Sequence, residues 1–97
     1  MNSGKRRIGQ QNSSSPLLEL EAVAARLSIP VRYEKGEMRG GLCRLHGRLQ
    51  IIINDDLTDE EKTDILVEGL AQTDLDTVYV PPRVRHLLEQ ARSRQSS

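Results

Sequence analysis

An α+β fold, with a small three-stranded antiparallel or mixed sheet covered by helices, is what this sequence predicts, and three observations carry it. Helical apolar spacing opens and closes the sequence, at Leu17 to Leu27 and at Val84 to Ala91. Between them, alternating and β-branched runs cluster over residues 31 to 54, with "GLCRLHGRLQIIIN" interrupted only by His46-Gly47. A third amphipathic stretch then follows an acidic start at Thr58. Helices segregated to one part of a short sheet give this layered architecture.

Each element follows from its residues. Residues 1 to 15, "MNSGKRRIGQQNSSS", contain one large aliphatic side chain, Ile8, too little to offset ordering entropy, and are expected to form a disordered tail before a single domain over 16 to 92. Pro16 suits a first helical turn, and Leu17, Leu20, Ala24 and Leu27 share a stripe filled by Val23. This helix should end near Ser28, because Ile29 precedes Pro30 and is driven toward extended geometry. "PVRYE" predicts a strand and "KGEMRGG" a loop or bulge.

The next two strands join at His46-Gly47. A connection over His46 to Arg48 sets Leu45 opposite Leu49, Cys43 opposite Ile51 and Gly41 opposite Ile53, one apolar row on one face. Cys43 is then a small buried hydrophobe against Ile51. Three consecutive isoleucines, Ile51 to Ile53, predict a strand that lies centrally or is covered on both sides. Asn54-Asp55-Asp56 ends it. Thr58 with Glu61 forms a capping-box pattern, and Asp59 and Glu60 place negative charge on the positive end of the helix dipole, so a helix is expected from Thr58 to about Thr73. Its buried face should hold Ile65, Leu66 and Leu70, with Gly69 beside them where another backbone approaches. "DTVYVPP" reads as an extended link. Pro82 then opens a last helix through Ala91, with residues 93 to 97 frayed.

Composition excludes several functions. With no Phe or Trp and only two Tyr, the chain lacks stacking platforms for single-stranded nucleic acid. One cysteine excludes an internal disulfide and a Cys-rich zinc knuckle, and no apolar run has the form of a signal peptide or membrane span, so a cytoplasmic, reducing setting is expected. Net charge is zero but segregated: residues 55 to 76 set nine carboxylates against Lys62, while residues 26 to 48 set six basic side chains against Glu34 and Glu37. Such segments attract each other within one molecule or between two copies.

The order from Leu17 to Gln72, with "IPVRYE", a Gly-containing loop, the hairpin ending in "IIIN" and an acid-capped helix, resembles the minimal zincin core of ImmA/IrrE-type metallopeptidases. In that family the corresponding helix carries His-Glu-x-x-His. Here the motif is degenerate, Glu68-Gly69-Leu70-Ala71-Gln72: Glu68 and Gln72 stand where the resemblance implies the two histidines, and Gly69 where it implies the general base. Two imidazoles one turn apart converge on Zn²⁺, and a carboxylate beside them takes a proton from the bound water. An acid, a glycine and an amide do neither. The expectation is therefore no catalytic residue, no metal and no cofactor, in a zincin-like interaction or scaffold module that forms protein contacts or a homodimer.

The candidate surface is Arg39, Arg44, Arg48, Glu61, Glu68 and Gln72. Two alternatives compete with it. A nucleic-acid-associated accessory protein would use Arg39, Arg44 and Arg48 with the tail's Lys5, Arg6 and Arg7. A cryptic hydrolase or metal protein would draw on Cys43, His46, His86 or Glu68, although Cys43 and His46 are three apart on a strand-turn and His86 is isolated on the last helix. No membrane contact is expected.

Overall fold

The computed structural model describes residues 16 to 96, so the tail expected over residues 1 to 15 lies outside the described residues. Helix α1 spans Leu17–Arg26 and buries Leu20, Val23 and Ala24. It ends as its sequence predicts, but the device is a helix-closing turn: Ser28 adopts φ 61°, Ile29 N–H donates to Ala24 O (2.9 Å) and Ser28 N–H to Ala25 O (3.0 Å). This is the paired bonding that usually recruits glycine, with the apolar residue after it, Ile29, buried.

Three strands follow, β1 (Val31–Glu34), β2 (Gly40–Leu45) and β3 (Arg48–Asn54), in the order β1-β3-β2. The sheet is mixed: β1 runs parallel to β3 and β2 antiparallel to it. β3 is therefore the central strand. Its partner on one side is reached only by carrying residues 35 to 39 across its end, and Asn54 holds that crossing. The Asn54 amide donates to Gly36 O (2.9 Å) and Met38 O (2.8 Å), its backbone N–H donates to Arg39 O (3.1 Å), and its side-chain oxygen accepts from Asp56 N–H (2.9 Å). Every polar group of this buried side chain is satisfied, as burial requires.

The hairpin register corrects the sequence expectation by one residue. His46 and Gly47 both have positive φ (53° and 78°), so the turn has two residues, and Leu45 pairs with Arg48, Arg44 with Leu49, Cys43 with Gln50 and Leu42 with Ile51. A turn with both φ values positive matches the right-handed twist of the flanking strands, which the three-residue connection does not. Cys43 accordingly leaves the row containing Ile51 and faces the other side of the sheet. Gly40 (φ 110°) is the position where β2 needs glycine most, because a Cβ there would lie 2.1 Å from Ile52 O.

The described helices lie on one face of the sheet. Leu42, Ile51 and Ile53 point toward helix α2 (Asp59–Leu70), and Gly69 presses its Cα side against Ile51, whose Cδ1 would be 3.2 Å from an added Cβ. The close neighbours are the side chains of Ile51 and Leu42, not the backbone that the glycine predicts. Helix α2 buries Ile65, Leu66, Gly69 and Leu70 as expected, and also Val67, because α1 and α3 (Pro82–Ser96) pack on its remaining sides. It stops at Leu70 rather than near Thr73, where the Thr73 hydroxyl donates to Leu70 O (2.7 Å). Residues 71 to 81 form an irregular link anchored by buried Leu75 and Val80.

Helix α3 runs to Ser96, five residues beyond the end its apolar spacing predicts at Ala91. The extension has a physical cause. Arg92 donates from Nε to Ala71 O (2.9 Å) and from Nη2 to Thr73 O (2.5 Å), and Gln95 donates to Glu68 O (3.3 Å). These bonds satisfy carbonyls at and beyond the C-terminus of α2, where the helix dipole also favours a cation.

Candidate interaction surface

The N-terminus of α2 is built by its own first turn. Thr58 Oγ1 accepts from Glu61 N–H (3.1 Å) and Glu61 Oε1 accepts from Thr58 N–H (3.0 Å), the reciprocal capping box that the sequence pattern announces. These bonds hold the Glu61 carboxyl below the usual glutamate range, the Thr58 backbone N–H contributing most, the Thr58 hydroxyl next, with Arg39 adding a smaller attraction.

Arg39 arrives from the crossing loop, whose path Asn54 dictates. Its guanidinium meets Glu68 through two contacts, Nη1 to Oε1 at 3.2 Å and Nη2 to Oε2 at 3.3 Å, both side chains about half exposed. The basic and acidic segments of the sequence thus meet within one molecule at this point. An exposed pair of this kind contributes at most about 1 kcal/mol. Next to it, Gln72 turns its amide back to Glu68 O (3.1 Å), and with Glu68, Ala91, Arg94 and Gln95 it lines a shallow hollow of about 290 Å³.

Four of the six expected surface residues therefore come together around α2: Arg39, Glu61, Glu68 and Gln72. Arg44 and Arg48 do not join them. They sit at the far end of β2 and β3, beside the turn, where Arg44 donates to Gly47 O (3.2 Å) and both border a groove of about 510 Å³ with Leu27, Ile29, Leu49 and Asp74. Cys43, His46 and His86 are also dispersed, over the uncovered sheet face, the turn and an exposed position of α3. Among the described residues no group of three or more His, Cys, Asp or Glu side chains could hold a metal ion.

Sequence reasoning missed a second constellation, at the β1 edge. The Tyr33 hydroxyl donates to Glu21 of α1, Lys62 of α2 lies 5.4 Å from the Tyr33 ring centre, and Lys62 also meets Asp55 at 3.2 Å. Burial first, and then the Glu21 carboxylate, push the Tyr33 hydroxyl far above its ordinary range. Alternation in "VRYE" signals a strand but carries no sign of which helices stand over it. No protein-family model, characterised protein or solved structure matches this chain.

Proposed function

We propose that the chain is a non-catalytic domain with a minimal zincin-like core that serves as a protein-interaction module. The observation carrying this reading is what the three motif positions of α2 do. Glu68 is engaged by Arg39, Gly69 is buried against Ile51, and the Gln72 amide is turned back onto a helix carbonyl. A peptidase helix needs imidazoles free to converge on zinc and a carboxylate able to take a proton. These three positions are committed to packing and to intramolecular hydrogen bonds instead.

The open face of the sheet supports an interaction role. It presents Cys43, Ile52, Arg32, Glu34 and exposed Leu45, and no described helix packs on it. A nucleic-acid role is supported less, because Arg39 is already held by Glu68, and Arg44 and Arg48 sit on the strands flanking the hairpin turn, apart from Arg39. Dialysis of the chain against zinc, followed by elemental analysis and a peptide-cleavage assay, tests the proposal. We expect substoichiometric zinc and no cleavage; retained stoichiometric zinc together with cleavage would falsify it. Titration with short oligonucleotides at low and high salt is expected to show no saturable binding.

A further inference from the structure

The sheet has two edges, and they differ in how well they can accept another strand. β2 begins with Gly40 and Gly41 at φ 110° and 151°, which distort its start. A distorted edge is a poor template for pairing. β1 has no proline and no bulge. Its residues pair with β3 in unbroken register, Val31 with Ile51 through Glu34 with Asn54. Pro30 O and Glu34 O accept from Ile51 N–H and Asp55 N–H (both 2.9 Å), so by the two-residue period Arg32 also points its backbone groups inward. The N–H and C=O groups of Val31 and Tyr33 are left directed at the open edge, among the described residues.

We propose that two copies of this chain pair antiparallel through β1, about a two-fold axis at Tyr33, to make one continuous six-stranded sheet. The inference rests on the interaction-module reading and names its partner as a second copy. Charge selects that occupant. In the register set by the axis, Arg32 lies opposite Glu34 of the other copy and Glu34 opposite its Arg32, so the strand is complementary to itself. Both side chains are on the uncovered face, where they already form an ion pair at 2.6 Å within one copy. In the pair this becomes an alternating row of four charges. Because the backbone groups of Arg32 and Glu34 point inward, they occupy the close, non-hydrogen-bonded positions of the new ladder, while Tyr33 exchanges both of its bonds with its symmetry mate.

A four-residue strand needs additional apolar area, and α1 supplies it on the other face. Leu18, Ala22 and Ala25 recur at i, i+4 and i+7 on the flank turned away from Leu20, Val23 and Ala24, and Leu18 is 76% exposed. Ala25 and Glu21 also border an apolar groove of about 330 Å³ that continues to Val31. Small side chains there let the α1 helices of two copies approach closely. Residues 1 to 15 are a weaker occupant for the edge, since they contain one β-branched residue, Ile8, and strands disfavour the Gly and Asn among them.

Sedimentation equilibrium of the full chain tests the pairing. The expected mass is twice 10.9 kDa at about 100 µM. Arg32→Glu should weaken association about tenfold or more by setting like charges opposite each other, and Arg32→Glu combined with Glu34→Arg should restore it. Circular dichroism checks that each variant folds. The register is read separately by oxidation, with Cys43→Ser as background. A mixture of Arg32→Cys and Glu34→Cys chains should form the intermolecular disulfide, and neither chain alone should do so, because only the 32 to 34 distance falls within bridging range. A monomeric wild-type chain, including one whose residues 1 to 15 occupy the edge, overturns the inference. A dimer indifferent to Arg32→Glu that gives no mixed disulfide also overturns it, while leaving the interaction-module reading intact; zinc-dependent peptide cleavage instead removes that reading.

Discussion

The two faces of β3 carry neighbouring residues of one strand to different environments. On the helix side, Ile51 and Ile53 are fully buried under α2, and Gly69 comes close enough that its hydrogen is the only side chain the space accepts without a shift of Ile51. On the other side, Gln50, Ile52 and Asn54 meet no described helix, yet Gln50 and Asn54 are buried and Ile52 is half-buried. The lesson is that central position removes much of a side chain from water even without a covering layer. A row of isoleucines therefore marks the middle strand of a small sheet as well as it marks a strand sandwiched between layers. Burial under α2 adds close packing, and packing is where single substitutions cost most.

Urea unfolding of paired variants breaks or sharpens this contrast. Ile51→Ala should have the largest effect, about 3 kcal/mol, against about 1 kcal/mol for Ile52→Ala, read as a fall in midpoint at constant slope. Equal losses at the two positions would mean that the open face is covered after all. Asn54→Ala comes next, at about 2 kcal/mol, because it strips the Gly36 and Met38 carbonyls of their donor and releases the crossing loop. If the open face tolerated that change without loss, the polar clamp would not be what holds β1 and β2 on either side of β3.

Thr58→Ala should cost about 1 kcal/mol, and its effect depends on pH. The folded Glu61 carboxyl is held below its unfolded value, so its contribution is complete above the ordinary glutamate range and disappears as pH falls through the depressed folded value. The difference in stability between wild type and Thr58→Ala should therefore narrow in acid. A gap that stayed constant down to that range would show that the carboxylate half of the box contributes nothing. The smallest effect is expected for Cys43→Ala, about 0.5 kcal/mol or less. Its partly exposed thiol on the open face should react with a maleimide in the folded chain, whereas protection equal to that of a buried cysteine would argue for the other register.

Local signals were legible from residue types alone. The capping box at Thr58 and Glu61, the end of α1 before Pro30 and the apolar stripe of α3 all depend on neighbours within about one or two helical turns, a range over which side-chain chemistry dictates geometry. Four of the six surface residues were legible as a group for the same reason: Glu61 and Glu68 share a helix, Gln72 follows its end by two residues, and Arg39 follows a loop that returns to it. Arg44 and Arg48 were legible as basic but not as distant, because distance along a sheet is set by strand pairing.

What the amino-acid order determined by itself was the helices, the strands, the place of the hairpin turn at His46-Gly47 and the absence of a complete zinc-binding motif at the end of α2. Only the tertiary structure decided the parallel pairing of β1 with β3, the two-residue hairpin that turned Cys43 away from Ile51, the capping of α2 by Arg92, and the free backbone groups at the β1 edge. The physical reason is range. Propensity and capping act between residues a few positions apart, whereas strand order and register are selected by the total burial and hydrogen bonding of segments 20 positions apart, such as Val31 and its partner Ile51.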